Sequence, residues 1–427
     1  MTTLPAGPSL PRLVQLAGWI LRPGPLLTSS WRRHGDVFTL RVAPGEDWVV
    51  LAHPDAVREV FTGSPDDLHA GEANQILGAL LGSASLLLLD GPEHLRHRRM
   101  ILPPLHGERL QGYAELMAAV TRREVERWPV GRELPLWPRM QAITLEVICR
   151  VVFGVNEAGA LERLQPALQR MLAWTTERRR MVLLGVAGAA WGAERRPPGF
   201  GRALQPVHDL LEAEIAARRG APDLQQRDDI LSLLLQARDA DGRGLSDAEL
   251  RDELLTLLVA GHETTATALA WTIERLLRTD GGLGRATEDA AYREAAIREA
   301  LRLRPVLPIV VRKLKRPMTI AGHDLPAGAF ATPCIYLVHH RPDVYPDPYA
   351  FRPERFLEQP PGTYTWLPFG GGVRRCVGAS FALYEMGIVL EQVLRHARLR
   401  AVAPRPERVS RRAITLTPEH GTLAVRV

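Results

Sequence analysis

The chain has 427 residues, of which 46% are hydrophobic and 24% are charged, and this composition excludes a disordered or fibrous protein. Three scattered cysteines, Cys149, Cys334 and Cys376, do not make a disulfide framework and fit a reducing cytoplasm. The net charge is +6, but the arginines lack interleaved aromatic residues, which argues against a nucleic-acid partner. Length alone suggests two or three domains. Because no linker interrupts the chain, we expect one domain over residues 1–427.

The N-terminal segment predicts neither a transmembrane span nor a secretion signal. Its apolar stretch, residues 13–21, is far shorter than the roughly 20 residues that cross a bilayer. A basic leader and a cleavage site are lacking as well. We therefore expect a cytoplasmic protein, and a peripheral contact of this segment with a membrane stays open.

Short predicted strands flank a helical middle. Alternating patterns predict strands at 37–42 and 48–52, and again around 318–320 and 413–427. Helical periodicity dominates from 108 to 301. This order predicts a mainly α fold with small β-sheets, of the α+β class.

A basic helix is predicted after Asp90, with Pro92 in its first turn. His94 and Arg98 lie four residues apart and therefore share one face, where two donors suit a buried carboxylate. A basic turn of this kind is also typical of a solvated surface. Residues 96 and 99 of the same helix point elsewhere.

A long central helix is predicted from the capping box formed by Ser246 and Glu249. Apolar residues then recur with helical spacing, so the helix should run for about 30 residues. Gly261 lies in its interior, where glycine costs about 1 kcal/mol relative to alanine. Either this glycine packs against a neighbour, or the helix opens locally for a small ligand beside Glu263 and Thr264.

Glu299 and Arg302 lie three residues apart on a further helix. An exposed pair at this spacing contributes less than about 1 kcal/mol, and that surface arrangement is the ordinary expectation. A second arginine, Arg355, follows in the segment 353–356. A buried network of the three is the alternative.

Cys376 lies in the stretch Phe-Gly-Gly-Gly-Val-Arg-Arg-Cys-Val-Gly, residues 369–378. A cysteine binds metal as the thiolate, which nearby cations and backbone N–H groups stabilise. The glycines allow positive φ and close approach to a flat partner, and helical spacing after Gly378 places the cysteine before a helix N-terminus. A lone cysteine is more often a small buried hydrophobe. The sequence has no Cys-x-x-Cys pair and no second histidine at the zincin spacing after His262, so it does not indicate a zinc site. It also has no motif for covalent haem attachment.

This stretch resembles the cysteine loop of the cytochrome P450 family, Phe-Gly-x-Gly-x-Arg-x-Cys-x-Gly, at every fixed position. Three further family motifs precede this loop in the family's order. They are Ala-Gly-x-Asp/Glu-Thr at 260–264, Glu-x-x-Arg at 299–302 and Pro-Glu-Arg-Phe at 353–356. The resemblance implies a P450 fold, a single haem domain with a long central helix. It also implies that Cys376 is the axial ligand of a non-covalently bound haem b, where a thiolate favours O–O cleavage.

The resemblance further implies roles for other residues. Thr264 would steady bound dioxygen and Glu263, which stands where aspartate is frequent in the family, would feed protons. Buried carboxylates need charged partners, and the expected haem contacts are His94, Arg98, Arg312 and Arg374 at the propionates and Ala260, Gly261, Phe369, Gly370 and Gly378 around the ring. Glu299, Arg302 and Arg355 would brace the cysteine loop.

By family position, substrate-facing segments fall at about 70–89, 171–191, 257–265, 306–311 and 413–415. Their content is mostly apolar, which predicts an apolar substrate such as a lipid-like or terpenoid molecule. The expected pocket residues are Ile76, Leu77, Leu80, Leu86, Leu87, Leu257, Val306, Leu307, Ile309 and Ile414.

The implied reaction is monooxygenation by a soluble bacterial-type protein. Electrons would come from NAD(P)H through a reductase and a ferredoxin or flavodoxin, because the chain contains no flavin or iron–sulfur module. Arg96, Arg99 and Arg375 would form a basic patch for that donor, and we expect a monomer. The alternatives are a peroxide-using, desaturating or coupling member of the family, and a haem-thiolate sensor without turnover.

Overall fold

The computed structural model describes residues 4–43, 46–154, 158–176 and 199–427, and helices dominate them. The strands are short: β1 (Val37–Ala43), β2 (Glu46–Leu51), β3 (Leu68–His69), β4 (Glu133–Pro135), β5 (Arg312–Leu314), β6 (Met318–Ile320), β7 (His323–Leu325), β8 (Phe330–Pro333), β9 (Leu399–Ala401), β10 (Val409–Arg412), β11 (Thr415–Pro418) and β12 (Leu423–Arg426). The α-helices of the described residues span Arg12–Leu21, Pro23–His34, Pro54–Thr62, Gly78–Leu81, Gly91–Ile101, Arg109–Gly112, Ala114–Glu126, Leu136–Phe153, Ala158–Thr176, Phe200–Arg219, Ile230–Gln236, Asp247–Leu277, Gly282–Glu288, Ala290–Leu303, Ile335–His339, Arg355–Glu358 and Ala379–His396.

The largest sheet has the strand order β1-β2-β8-β5-β3, in which only the β2–β8 pair is parallel. A three-stranded sheet has the order β4-β12-β9, and β6–β7 and β10–β11 are two-stranded ribbons. The predicted strands at both ends of the chain are present, and the segment 413–427 contains two of them, β11 and β12. The predicted mainly α fold with small sheets is confirmed.

The central helix, Asp247–Leu277, has 31 residues and is therefore about 46 Å long. Its capping box is formed as predicted: the Ser246 hydroxyl accepts from the Glu249 N–H at 3.3 Å, and the Glu249 carboxylate accepts from the Ser246 N–H at 2.7 Å. The helix lies in the main core, where it packs against Leu136–Phe153.

Gly261 is a packing glycine. A Cβ at this position would lie 3.2 Å from Ile148 Cδ1 of the helix Leu136–Phe153, so the two helices approach closely there. The helix continues without a break through residues 260–265. Of the two alternatives, the structure contains close helix packing at Gly261.

Glu299, Arg302 and Arg355 form a buried network rather than a surface pair. Both Glu299 carboxylate oxygens accept from Arg302, at 2.7 and 2.9 Å, and one also accepts from Arg355 at 3.2 Å. The Arg302 guanidinium donates further to the carbonyls of His339 and Pro348 at 2.7 and 2.8 Å. Every strong donor and acceptor in the network therefore has a partner.

His339 connects this network to the chain before the cysteine loop. Its Nε2 accepts from the Leu367 N–H at 2.7 Å, so its Nδ1 carries the proton and donates to the Arg302 carbonyl at 3.0 Å. Burial, followed by the charge of Arg302, lowers the pKa of His339 well below its usual value and keeps the ring neutral. Trp366 connects the same segment to the helix Ala290–Leu303 a second time, because its indole N–H donates to the Arg298 carbonyl at 3.1 Å.

Replacing Glu299 should destabilise the protein strongly. Glu299→Leu leaves Arg302 buried and unpaired, and we expect a loss of about 3–5 kcal/mol in the free energy of unfolding, measured by urea titration. Glu294→Gln is a matched control on the same helix, because it removes the exposed pair with Arg298 and should cost less than about 1 kcal/mol. Equal effects of the two substitutions would contradict the structural importance of the network.

Candidate active site

The cysteine loop is a chain of tight turns held by backbone hydrogen bonds. The Gly370 N–H donates to the Leu367 carbonyl and the Cys376 N–H to the Phe369 carbonyl, both at 3.0 Å. A short 3-10 turn, Gly372–Arg374, precedes the cysteine, and the helix Ala379–His396 begins three residues after it. The predicted position of Cys376 just before a helix is observed.

The glycines serve the packing of the loop against protein. Gly370 and Gly372 have φ of 64° and 65°, which disfavours other residues. A Cβ on Gly371 would lie 2.2 Å from the Phe61 ring, and one on Gly372 would lie 2.0 Å from the Phe61 carbonyl oxygen. At Gly371 and Gly372 the expected close approach to a flat partner is therefore an approach to Phe61.

Cys376 differs from the other two cysteines. Cys149 and Cys334 are fully buried, and burial raises the pKa of the Cys334 thiol to about 12. The Cys376 side chain is accessible, yet the surrounding protein also raises the pKa of its thiol. The Gly378 N–H and the charges of Arg375 and Arg98 oppose that rise. Of the three cysteines, Cys376 is the one that is open to a ligand.

Four basic side chains form a cluster, and one of them, Arg98, interacts electrostatically with Cys376. Burial and the charges of Arg374, Arg98 and Arg312 lower the pKa of His94 to about 3. Burial, and then the charge of Arg374, lowers the pKa of Arg312 to about 10. The Asp90 carboxylate pairs with Arg374 and also accepts from two backbone N–H groups at 2.8 Å. In the described part of the chain, no carboxylate forms an ion pair with Arg98 or Arg312.

The charges of this cluster do not balance. Three guanidinium groups face one carboxylate, Asp90, which leaves two positive charges in a largely buried place. Buried charges are retained where counter-charges meet them. The donor set therefore fits a group that carries two carboxylates and reaches the neighbouring thiolate, as haem b does.

One face of the central helix is accessible at its middle. Ala260 is exposed and Thr264 is half-buried, while most neighbouring residues of the helix are buried. The Thr264 hydroxyl donates to the Ala260 carbonyl at 2.7 Å, so its oxygen remains free to accept a hydrogen bond.

Glu263 points toward the helix Leu136–Phe153 and is mostly buried. Its Oε2 accepts from the Gln141 side-chain N–H at 2.6 Å. Burial raises the pKa of Glu263, and the Gln141 hydrogen bond and the charge of Arg412 oppose that rise. Sequence reasoning missed Gln141 and Arg412, because only folding brings them to residue 263. The neighbouring His262 has a pKa of about 4, caused mainly by burial.

The expected substrate residues do not share one environment. Leu86, Leu257 and Val306 belong to the main core, and Ile309 packs against the cluster around Trp19. Their place in the substrate pocket stays a prediction. Ile76 and Ile414 are 62% and 43% exposed. Leu77, Leu80, Leu87 and Leu307 are half-buried. In the expected segment 171–191, Met171 is a core residue and positions 177–191 lie outside the described residues.

The expected basic patch is also only partly correct. Arg96 is 14% exposed and donates to Asp239 at 2.9 Å, to Glu249 at 2.8 Å and to the Gly244 carbonyl at 2.8 Å. It ties the helix Gly91–Ile101 to the start of the central helix and is not free for a partner. Arg99 and Arg375 are exposed.

The model of the family described as cytochrome P450 matches residues 5–281 and 285–425. This chain belongs to the cytochrome P450 family. It is 41% identical over 433 aligned positions to the putative cytochrome P450 135B1 of Mycobacterium tuberculosis, which covers 98% of this chain and 90% of that protein. It is also 39% identical to the putative cytochrome P450 137 of the same species, over 92% of this chain and 83% of that protein.

The solved structure of a cyanobacterial P450, CYP120A1 with retinoic acid bound, has the same fold. Its TM-score is 0.83 and its sequence identity is 24%, over 99% of each chain. Family membership makes this P450 an oxidoreductase of the monooxygenase type, with haem bound through a cysteine thiolate. Among the described residues, no helix is long and apolar enough to cross a membrane.

Replacing Gln141 should shift the titration of Glu263. Gln141→Leu removes a donor that favours the ionised carboxylate, so the pKa of Glu263 should rise further. The infrared C=O band of the protonated carboxyl should then persist to higher pH than in the unmodified protein. The same band should be missing from Glu263→Gln, which assigns it, and an unchanged midpoint in Gln141→Leu would contradict the contact.

Proposed function

We propose that residues 1–427 form one haem domain in which Cys376 ligates haem b, and that the enzyme inserts one oxygen atom of dioxygen into an apolar small organic molecule. The observation that carries the proposal is the accessible Cys376 beside a cluster with two uncompensated positive charges. Haem bound there supplies the activation of dioxygen, which thiolate ligation favours.

The basic cluster is proposed to hold the two propionates. Arg98 and Arg312 have no competing ion pair in the described residues, so each is available to one carboxylate. Arg374 is shared with Asp90, and neutral His94 donates a hydrogen bond without adding charge. Phe369, Gly370 and Gly378 would contact the haem beside Cys376. Ala260 and Gly261 would contact it from the central helix, where Gly261 also packs against Ile148.

Thr264 and Glu263 are proposed to handle dioxygen and protons. The Thr264 hydroxyl, whose proton is held by the Ala260 carbonyl, has an oxygen free to accept from a protonated oxygen species. Burial raises the pKa of Glu263, which favours its protonated form and suits a proton donor. Gln141 fixes the direction of its carboxyl group.

The buried network of Glu299, Arg302 and Arg355 is proposed to brace the cysteine loop. The support is the chain of contacts from Arg302 through His339 to the Leu367 N–H, two residues before the loop. Its role is structural, since the network is buried away from solvent and all its members are partnered.

The substrate is proposed to be lipid-like, terpenoid or another largely hydrocarbon molecule. The half-buried Leu77, Leu80, Leu87 and Leu307 are the apolar side chains that support it. The proposed setting is the cytoplasm, and the proposed state is a monomer.

The function is tested by spectroscopy and by turnover. The reduced protein with carbon monoxide should show the red-shifted band of a thiolate haem, and Cys376→Ala should lose it. With surrogate redox partners, a panel of apolar compounds should include one whose hydroxylated product accounts for the NAD(P)H consumed. A thiolate spectrum without coupled product would favour a sensor, and product formed only with peroxide would favour a peroxide-using enzyme.

Electrons are proposed to arrive from a ferredoxin or flavodoxin that docks near Arg99 and Arg375. Arg99→Gln with Arg375→Gln should slow reduction by the donor about tenfold at low salt and flatten its salt dependence. Arg132→Gln is a control at an exposed arginine elsewhere. Unchanged rates in the double variant, measured by stopped flow, would remove this surface from consideration.

A further inference from the structure

The helix Arg12–Leu21 buries a polar side chain and exposes apolar ones, unlike an ordinary surface helix. Its inward side carries Gln15 and Trp19, both buried. The Gln15 amide donates to the carbonyls of Pro8 and Leu10 at 3.1 and 2.8 Å, and its oxygen accepts from the Arg41 N–H at 2.9 Å. The one uncharged polar side chain of this helix is therefore fixed on the protein side.

The outward side of the same helix is apolar. Leu13, Leu21 and Val14 are 77%, 56% and 49% exposed, and Ala17 is exposed between them. At 100° per residue these four side chains lie within an arc of about 100°. Leu10, just before the helix, is exposed as well. A contiguous apolar stripe of this kind marks an interaction surface.

The charged side chains of this helix and of the helix that follows it are all positive. The helices Arg12–Leu21 and Pro23–His34 contain three arginines and no Asp or Glu, and a fourth arginine, Arg22, lies between them. Arg12 pairs with Asp47 at 2.8 Å. Arg22, which directly follows Leu21, and Arg32 and Arg33 are exposed, and none of the three has an ion pair in the described part of the chain.

We propose that these two helices dock on the surface of an anionic phospholipid bilayer. The apolar stripe would lie at the boundary between headgroups and acyl chains, with Arg22, Arg32 and Arg33 on the lipid phosphates. The helix Arg12–Leu21 is about 15 Å long and therefore lies along the surface rather than across it. The proposal is independent of the chemistry at Cys376.

A second copy of the chain is a poorer occupant. In a two-fold dimer the same patch meets itself, so unpaired arginines of both copies would approach with no acidic side chain on either helix. An anionic bilayer offers both the apolar phase and the negative charge that the patch lacks.

Vesicle binding of the haem-loaded protein tests the proposal. Co-sedimentation with phosphatidylcholine vesicles that contain phosphatidylglycerol should exceed that with phosphatidylcholine alone by about tenfold, and it should fall as salt rises. Leu13→Gln with Leu21→Gln should reduce the partition coefficient about tenfold. Arg32→Gln with Arg33→Gln should abolish most of the preference for the anionic lipid.

The controls are exposed apolar residues elsewhere. Val130→Gln and Leu357→Gln change side chains that are 66% and 42% exposed, and binding should be unchanged. The carbon monoxide spectrum of each variant verifies that it is folded and loaded. Failure of the unmodified protein to bind anionic vesicles at low salt, equal losses in the control variants, or a stripe variant that changes only the oligomeric state would each overturn the proposal.

Discussion

The buried ion pair of Glu299 with Arg302 is the constraint around which the chain before the cysteine loop is arranged. Removing two charges from water costs several kcal/mol per ion, and mutual attraction offsets this only when the geometry is complete. Here the carboxylate also receives Arg355, and the spare guanidinium donors reach three carbonyls. Such a pair adds little net stability over an apolar core, so its value lies in the single arrangement that it permits.

That arrangement extends to the active site through backbone groups. His339 donates from Nδ1 to the Arg302 carbonyl and accepts at Nε2 from the Leu367 N–H, which requires a single tautomer. From Leu367 the chain enters the turns at Gly370 and Gly372, and Phe61 limits how far these turns can move. The cysteine loop and the chain before it therefore pack against His339 and Phe61.

Much of this site was predictable because its signals are local. The capping box, the helical spacing and the motif at 369–378 each occupy a short stretch of sequence, and each led to the correct element. Contacts between distant segments were not predictable. The role of Gly261 was ambiguous from sequence, because its contact with Ile148 forms only in the fold. Arg96 was wrongly assigned to the basic patch, because Asp239 and Glu249 reach it only in the folded chain. Gln141 has no sequence signal, since it is 122 residues from Glu263.

Two regions of this P450 depart from the patterns that proteins ordinarily follow. At the basic cluster, three guanidinium groups face one carboxylate, so their charges do not balance. At the helix Arg12–Leu21, an apolar stripe faces outward, which departs from the ordinary pattern of a surface helix. Sequences keep such violations where something outside the chain compensates them. The two carboxylates proposed to bind at the cluster would compensate the first. The second combines unpaired arginines with exposed leucines, and a negatively charged bilayer would compensate both.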